Sequence, residues 1–179
     1  QGHPSMKLTP GVDMSSGSLG QGLSVAAGMA LGAKLSGKSF KTYAILGDGE
    51  IQEGQIWEAA MFASAKGLDS LTAVVDNNNL QIDGTLTEVN SPYPIPEKFE
   101  AFGWNVVEID AHDFEEIHAA FENAAACSGK PTAIIAKSVK GKGVSFMENN
   151  YKWHGAAPNT EQYETAMNEL KAALAELEA

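Results

Sequence analysis

Short apolar runs alternate with helical segments along most of this chain, and no other feature constrains its fold as strongly. The runs predict four strands, at 42–46, 71–75, 105–109 and 132–136. The first two contain no polar alternation, which predicts that they are buried on both faces. Helices are predicted over 20–35, 53–66, 96–102, the segment opened by Asp113, and 160–178. This order indicates an α/β fold: a doubly wound parallel sheet with helices on both faces, in one domain spanning 1–179.

Two of the predicted helices carry a further signal. The helix over 20–35 consists of small residues, and Gly28 and Gly32 lie four positions apart on it. Glycines weaken an isolated helix, so we expect them to allow close packing against a second chain, as in a homodimer. The helix over 53–66 is expected to turn an apolar face to the core, made of Ile56, Trp57, Ala60, Met61 and Ala63.

The charge balance excludes several classes of partner. The chain has 12 basic and 23 acidic residues, a formal net charge of −11, and every basic residue is a lysine. Such acidity argues against nucleic acid or an anionic membrane as the partner. Cys127 is the single cysteine, which excludes an internal disulfide. No run is long enough to span a membrane and the N-terminus shows no secretory pattern, so we expect a cytoplasmic protein. Because Gln1 is not an initiator residue, we also expect a fragment or a processed chain.

Polar residues follow the first two predicted strands where each strand ends. Gly47-Asp48-Gly49 follows the first strand, and Asp76-Asn77-Asn78-Asn79 follows the second, with 27 residues between Gly49 and Asn77. Ligands of such sheets bind at the carboxyl ends of the strands. The Asp48 carboxylate and an amide oxygen of Asn77 or Asn78 suit Mg²⁺ or Ca²⁺, and the Gly49 N–H suits an anion. The pattern therefore predicts a metal-bridged diphosphate site.

The same motif resembles the thiamine diphosphate motif, and its surroundings resemble the transketolase family. The similar stretches keep the family's order and spacing: QGHPSMKLTPGVDMSSGSLGQGLSVAAGMA, GDGEIQEGQIWEAA, NNNLQIDG, AFGWNVVEIDAHD and KGKGVSFMENNYKWHGAAP. Together they cover essentially the whole chain, and they are most similar to the N-terminal subunit of transketolases split over two chains. The resemblance implies that the family's upstream residues and its pyrimidine-binding domain lie outside this sequence.

The resemblance implies a function and an assembly. The chain would bind thiamine diphosphate and Mg²⁺, with Ca²⁺ as a possible substitute, and would show little activity alone. Paired with a pyrimidine-domain chain, as a homodimer or heterotetramer, it would transfer a two-carbon ketol unit between sugar phosphates of the pentose phosphate pathway. Because the chain lacks arginine, we expect the partner to supply most of the grip on substrate phosphate.

The resemblance also assigns residues. It makes three protein groups the metal ligands: the side chains of Asp48 and Asn78 and the carbonyl of Leu80, with Asn77 as the weaker alternative to Asn78. The cofactor-binding residues it implies are Gly17, Leu19, Gly20, Gly49, Asn78 and His154. It implies a sugar-contacting His3, a His154 near the reaction centre, and a Glu53 that links two cofactor sites across a subunit interface; these form the expected catalytic set.

Two alternatives stay open at this point. One is another thiamine diphosphate enzyme, such as deoxyxylulose phosphate synthase or a 2-oxoacid dehydrogenase subunit. The other is a non-catalytic module that binds Mg²⁺-diphosphate. Lys140 and Lys142 are candidates for phosphate contact or for a solvated loop, whereas His112 and His118 are expected on a loop and a helix surface.

Overall fold

A computed structural model describes residues 2–178 of the protein. Six helices are present: α1 (Gln21–Leu35), α2 (Gly54–Ala65), α3 (Leu86–Val89), α4 (Ile95–Ala101), α5 (Phe114–Ala126) and α6 (Thr160–Leu177). Six strands accompany them: β1 (Thr42–Gly47), β2 (Leu71–Asn77), β3 (Leu80–Gln81), β4 (Gly84–Thr85), β5 (Asn105–Asp110) and β6 (Thr132–Lys137). Short 3₁₀ turns cover Glu50–Gln52 and Tyr151–Trp153.

The main sheet is parallel and has the strand order β1-β2-β6-β5. Gly47 pairs with Asp76, and Asn77 pairs with Lys137, so the carboxyl ends of β1, β2 and β6 lie side by side. All four predicted strands and five predicted helices are present with bounds within about two residues. Residues 80–95, for which no strand or helix is predicted, contain the small hairpin β3–β4, α3 and the start of α4.

Helices cover both faces of the sheet, which confirms the predicted fold class. On one face α1, α2 and α4 bury a continuous core that includes Leu23, Ile56 and Phe99. On the other face α5 covers a smaller cluster around Ile134, through Ala120 and Ile117. The larger core holds the β1 and β2 ends, and with them the candidate site, on a rigid support.

β1 departs from the prediction of a strand buried on both faces. Its burial alternates, and the side chains of Tyr43 and Ile45 are 57% and 81% exposed. The physical reason is the strand order: β1 is an edge strand of the described sheet, and on this face Phe121 of α5 packs edge-on against Tyr43 while Ile45 stays exposed. The core face of α2 was also predicted too wide, since Met61 is 57% exposed.

α6 carries an apolar stripe that this chain leaves uncovered. Asn159 and Gln162 form a capping box at its start, but Ala166 is its single buried residue. The exposed members of the stripe are Tyr163, Leu170, Leu174 and Leu177. None of the helices within residues 2–178 combines the length and the apolarity needed to cross a membrane.

Candidate functional site

Asp48 lies at the end of β1 and is almost completely buried, with 1% of its surface exposed. Its Oδ2 accepts hydrogen bonds from Asn77 Nδ2 at 3.0 Å and from the Asn79 N–H at 2.6 Å. Asn79 adopts a left-handed backbone with a φ of 64°, which asparagine tolerates better than most residues. The turn after β2 therefore wraps around this carboxylate.

The electrostatics of Asp48 favour a bound cation. Burial has the largest influence on the pKa of Asp48 and raises it above the ordinary value. The hydrogen bonds from Asn77 and Asn79 lower this pKa, whereas the nearby charge of Asp76 raises it further. The salt bridge found within residues 2–178 joins Lys137 to Glu108. No lysine in this part of the chain forms a salt bridge with Asp48. A buried carboxylate without a counter-charge is stabilised when a cation binds it.

One oxygen of Asp48 stays available for such a cation. In the described part of the chain, Oδ1 receives no well-formed hydrogen bond, although the Gly49 amide lies near enough to lower the carboxyl pKa slightly. The Gly49 N–H makes no other hydrogen bond within residues 2–178, so it can donate to an anion. A carboxylate oxygen and an amide that lie next to each other without a well-formed hydrogen bond suit a cation with a bound diphosphate.

Asn78 and Leu80 place two more oxygens on the same turn. The Leu80 N–H donates to Asn78 Oδ1 at 3.0 Å, which leaves that oxygen a second lone pair. In the β3–β4 hairpin Leu80 lies opposite Thr85. The next pair, Asn79 and Leu86, is a hydrogen-bonded pair, because the Leu86 N–H donates to the Asn79 carbonyl. Hydrogen-bonded and non-hydrogen-bonded pairs alternate, so Leu80 and Thr85 form a non-hydrogen-bonded pair. The Leu80 amide and carbonyl therefore both point away from β4, towards the side of Asn78.

The Asn77 side chain turns its NH₂ group, and not its oxygen, towards Asp48. Its Nδ2 donates to Asp48 and also to the Tyr93 hydroxyl at 2.9 Å. Asn77 thus presents a donor to the carboxylate, and this supports Asn78 over Asn77 as the amide ligand. Tyr93 was missed from the sequence, because it lies 16 residues away in a proline-rich loop that carried no motif.

The donor set suits a hard cation. Carboxylate, amide and backbone oxygens are the ligands of Mg²⁺ and Ca²⁺. Within the described residues no group of three or more histidine, cysteine, aspartate or glutamate side chains is placed to hold a metal ion. A zinc-type site is therefore absent from this part of the chain, and the oxygen set around Asp48 is the candidate for a metal.

Gly49 packs closely against β3. A Cβ at this position would lie 3.1 Å from Gln81 Cβ and 3.3 Å from Gln81 Oε1. Gln81 is itself held, because its Oε1 accepts from Gln52 Nε2 at 2.7 Å. A side chain at residue 49 would therefore need Gln81 to shift by a few tenths of an ångström.

The segment before α1 reaches the same strand end. Gly20 has a φ of 82°, and a Cβ there would lie 2.9 Å from Glu53 Cβ and from Gln55 Nε2. Gln55 Nε2 donates to the Leu19 carbonyl at 3.2 Å. The Glu50 carboxylate accepts from the N–H groups of Gly20 and Gly47. Sequence reasoning missed Glu50, and the available signal was an acidic residue immediately after Gly-Asp-Gly.

The predicted catalytic residues are less closely placed. The exposed His3 packs its ring against Gly17, where a Cβ would lie 2.9 Å from His3 Cδ2. His154 is exposed after the second 3₁₀ turn, and its N–H bonds to the Tyr151 carbonyl. Glu53 is exposed at the start of α2 and makes no capping bond with its side chain. The structure places His3 against the loop before α1, whereas no hydrogen bond within residues 2–178 joins the side chains of His154 and Asp48.

His112 lies on a loop, as predicted, but it is more than a solvated side chain. Its Nε2 accepts a hydrogen bond from the Val139 N–H at 2.8 Å, which ties the loop after β5 to the loop after β6. Lys140 follows in that second loop and lines a cavity of about 550 Å³ with His112, Asp76 and Ser138. The loop that carries Lys140 and Lys142 is thus anchored near the strand ends.

Comparison with known proteins agrees with this fold. Residues 1–174 match the family described as transketolase, thiamine diphosphate binding domain. One subunit of the apulose-4-phosphate transketolase of Phocaeicola vulgatus is 44% identical over 99% of this chain and 63% of its own length. The 6-deoxy-6-sulfo-D-fructose transketolase subunit SqwG of a Clostridium species is 47% identical over 94% of this chain and 62% of its own.

A solved structure agrees as well. The crystal structure of transketolase from Campylobacter jejuni superimposes with a TM-score of 0.84 at 36% identity, over 90% of this chain and 26% of that one. The chain spans less than two thirds of the length of these two curated relatives. Because one family matches nearly every residue and the folds agree, this chain belongs to the thiamine diphosphate-binding domain family of transketolases.

Proposed function

We propose that this chain is the cation- and cofactor-binding part of a transketolase that transfers a two-carbon ketol unit between sugar phosphates. The observation that carries the proposal is the buried Asp48, with one free oxygen and no neutralising lysine in the described chain. Residues 1–179 act in it as one diphosphate-binding domain. Catalysis requires a partner chain with the pyrimidine-binding domain, and relatives that are named as single subunits of transketolases support such a division.

Mg²⁺ is held by Asp48, by the Asn78 side chain and by the Leu80 carbonyl in this proposal. Ca²⁺ prefers the same oxygen ligands and is a substitute. Gly49 donates its N–H to the diphosphate, and Gly17, Leu19 and Gly20 lie against the rest of the cofactor. Thiamine diphosphate supplies the carbanion-stabilising chemistry when bound, and the protein binds and orients it.

The remaining predicted residues act around this centre. His3 contacts the sugar substrate, which its position on Gly17 supports, and His154 acts near the reaction centre from the loop before α6. Glu53 faces a second subunit, in keeping with its exposure at the start of α2.

Assembly as a homodimer, or as a heterotetramer with the partner chain, is proposed to use the outer face of α1. Gly28 and Gly32 both lie on it, and a Cβ on either would meet open space. A bare helix face of this kind allows a second backbone to approach closely. Location in the cytoplasm stays a prediction.

Calorimetry tests the binding part of the proposal. Thiamine diphosphate should bind the chain with Mg²⁺ present and bind far more weakly with EDTA. Adenosine diphosphate serves as the control ligand, since it offers the same diphosphate without the thiamine. Equal affinity for both diphosphates would point instead to the non-catalytic binding module.

A ketol-transfer assay with the pyrimidine-domain chain tests the reaction. Xylulose 5-phosphate should serve as a donor and pyruvate should not. The opposite preference would assign the chain to a deoxyxylulose phosphate synthase-like enzyme and overturn the transketolase assignment.

A further inference from the structure

The side chain of Glu50 joins two segments that are distant in the sequence. Glu50 opens the 3₁₀ turn directly after Gly49. Its Oε1 accepts from the Gly20 N–H at 2.8 Å, and its Oε2 accepts from the Gly47 N–H at 3.0 Å. One half-buried carboxylate thus connects the loop before α1 to the residue that precedes Asp48.

Little else in the described chain makes this connection. Gly20 has no side chain, and the first turn of α1 contains no acidic residue that could cap it. A further hydrogen bond to this loop comes from α2, where Gln55 Nε2 donates to the Leu19 carbonyl at a longer 3.2 Å. Loss of the Glu50 carboxylate would leave the Gly20 and Gly47 N–H groups without an acceptor, in a region that is partly shielded from water.

Glu50 is not a further metal ligand in this arrangement. Each of its oxygens already accepts a hydrogen bond from a backbone amide, whereas Asp48 Oδ1 does not. Two converging N–H donors require two acceptor oxygens. A carboxylate offers both, but a glutamine amide offers one oxygen and turns an NH₂ group towards the second donor.

We propose that Glu50 is a positioning residue, which holds the Gly17–Gly20 loop at a set distance from the strand end that carries Asp48. The inference rests on the proposed function, because it treats that loop as the part of the site that contacts the thiamine end of the cofactor. Asp48 and Gly49 serve the diphosphate end. Glu50 therefore acts on the recognition of the whole cofactor and not on the recognition of diphosphate.

Two ligands separate these roles in the full chain with Mg²⁺ present. Glu50→Gln should weaken the binding of thiamine diphosphate about tenfold, close to 1.4 kcal/mol, and leave the binding of inorganic diphosphate unchanged within about twofold. Glu97→Gln, the same change at an exposed position in α4, is the matched control and should alter neither. Equal losses for both ligands, or no loss for either, would overturn the proposal.

Glu50→Asp is the second variant. It keeps the charge but is one methylene shorter, so it cannot reach both amides without moving the backbone. It should show the same selective loss as Glu50→Gln. Full affinity for thiamine diphosphate in this variant would mean that charge alone matters, and the bridging role would be wrong.

Amide hydrogen exchange of the cofactor-free chain tests the link without any ligand. The Gly20 amide should exchange at least about tenfold faster in Glu50→Gln than in the original chain, while amides in the centre of β2 keep their rates. Unchanged exchange at Gly20 would overturn the link. If the original chain bound no thiamine diphosphate but Gly20 exchange still rose, the proposed function would fail and the Glu50 link would stand.

Discussion

Asp48 and its neighbours lie in a closed hydrogen-bonded network, whereas His3 and His154 lie on exposed segments. We call the first group, Asp48, Asn78 and Leu80, the cation side, and the two histidines the histidine side. The cation side comes from the ends of adjacent strands, and its turn is held by bonds of 2.6–3.0 Å. On the histidine side, His3 contacts Gly17, and His154 follows a short 3₁₀ turn.

The difference lies in what supports each group. The proposed cation site lies at the ends of neighbouring parallel strands, whose pairing holds its residues in place. Groups on exposed loops lack such support and are positioned by whatever packs on them. We therefore expect mutations on the cation side to act on binding by this chain alone, and those on the histidine side to act in the assembled enzyme.

The largest effect should come from Asp48. Replacing it with alanine removes the charged ligand, and Mg²⁺-dependent binding of thiamine diphosphate should fall at least about 100-fold, or about 2.7 kcal/mol. Titration calorimetry measures this, with Asp83→Ala, an exposed residue of the β3–β4 turn, as the control. Affinity that survives both Asp48→Ala and EDTA would falsify the metal bridge.

Asn78 and Asn77 should differ in a second comparison. Asn78→Ala removes a proposed ligand and should weaken Mg²⁺ binding about tenfold or more. Asn77→Ala removes a donor to Asp48 and should weaken it only by about threefold, because the charged ligand remains. Mg²⁺ titration at saturating thiamine diphosphate measures both, and a larger loss for Asn77→Ala would reverse the ligand assignment.

His154→Ala should leave Mg²⁺-dependent binding of inorganic diphosphate by the isolated chain unchanged. In the enzyme reconstituted with its partner it should lower kcat/KM about tenfold, as expected for one lost hydrogen bond near the reacting atoms. His118→Ala, an exposed histidine of α5, is the control. Full activity of His154→Ala would show that His154 has no role in the site.

Lys140 and Lys142 should have a smaller influence. Replacing both with alanine should raise KM for sugar phosphates about threefold, because single lysines in an open loop hold phosphate weakly and the partner's arginines are expected to supply most of the grip. Steady-state kinetics with phosphorylated and free sugars measure the change. If the double variant no longer distinguished them, this loop would be the main phosphate site.

The smallest effect concerns pH. Because burial raises the pKa of Asp48, the folded chain retains the proton to a higher pH than the unfolded chain does. Its contribution to stability is therefore greatest at low pH and declines as pH rises through the ordinary and then the raised pKa. Thermal unfolding in EDTA between about pH 4 and about pH 7 should show this decline, and Asp48→Asn should reduce it. Mg²⁺ should also reduce it, since the cation stabilises the carboxylate; an identical slope in the variant would contradict this account.

Much of the fold was predictable because its signals are local. The apolar runs and Asp113, which caps α5 through bonds to the Glu115 and Glu116 amides, depend on residues near one another in the sequence. The errors concern neighbours that are distant in the sequence. Ile45 lies in an apolar run, yet its exposure depends on β1 being an edge strand. Met61 keeps helical spacing but falls just outside the face that meets the sheet.

The chemical groups available at the site follow from the amino-acid sequence. Gly-Asp-Gly and the asparagine run end consecutive strands, and parallel strands bring their carboxyl ends to one edge, so these oxygens had to meet. How each group is used depends on the three-dimensional arrangement of the segments. Asn77 donates to Asp48, whereas Asn78 Oδ1 accepts from the Leu80 N–H and keeps a second lone pair, and Glu50 reaches Gly20 across 30 residues. Such choices depend on the orientation of side chains between segments, which local patterns do not encode.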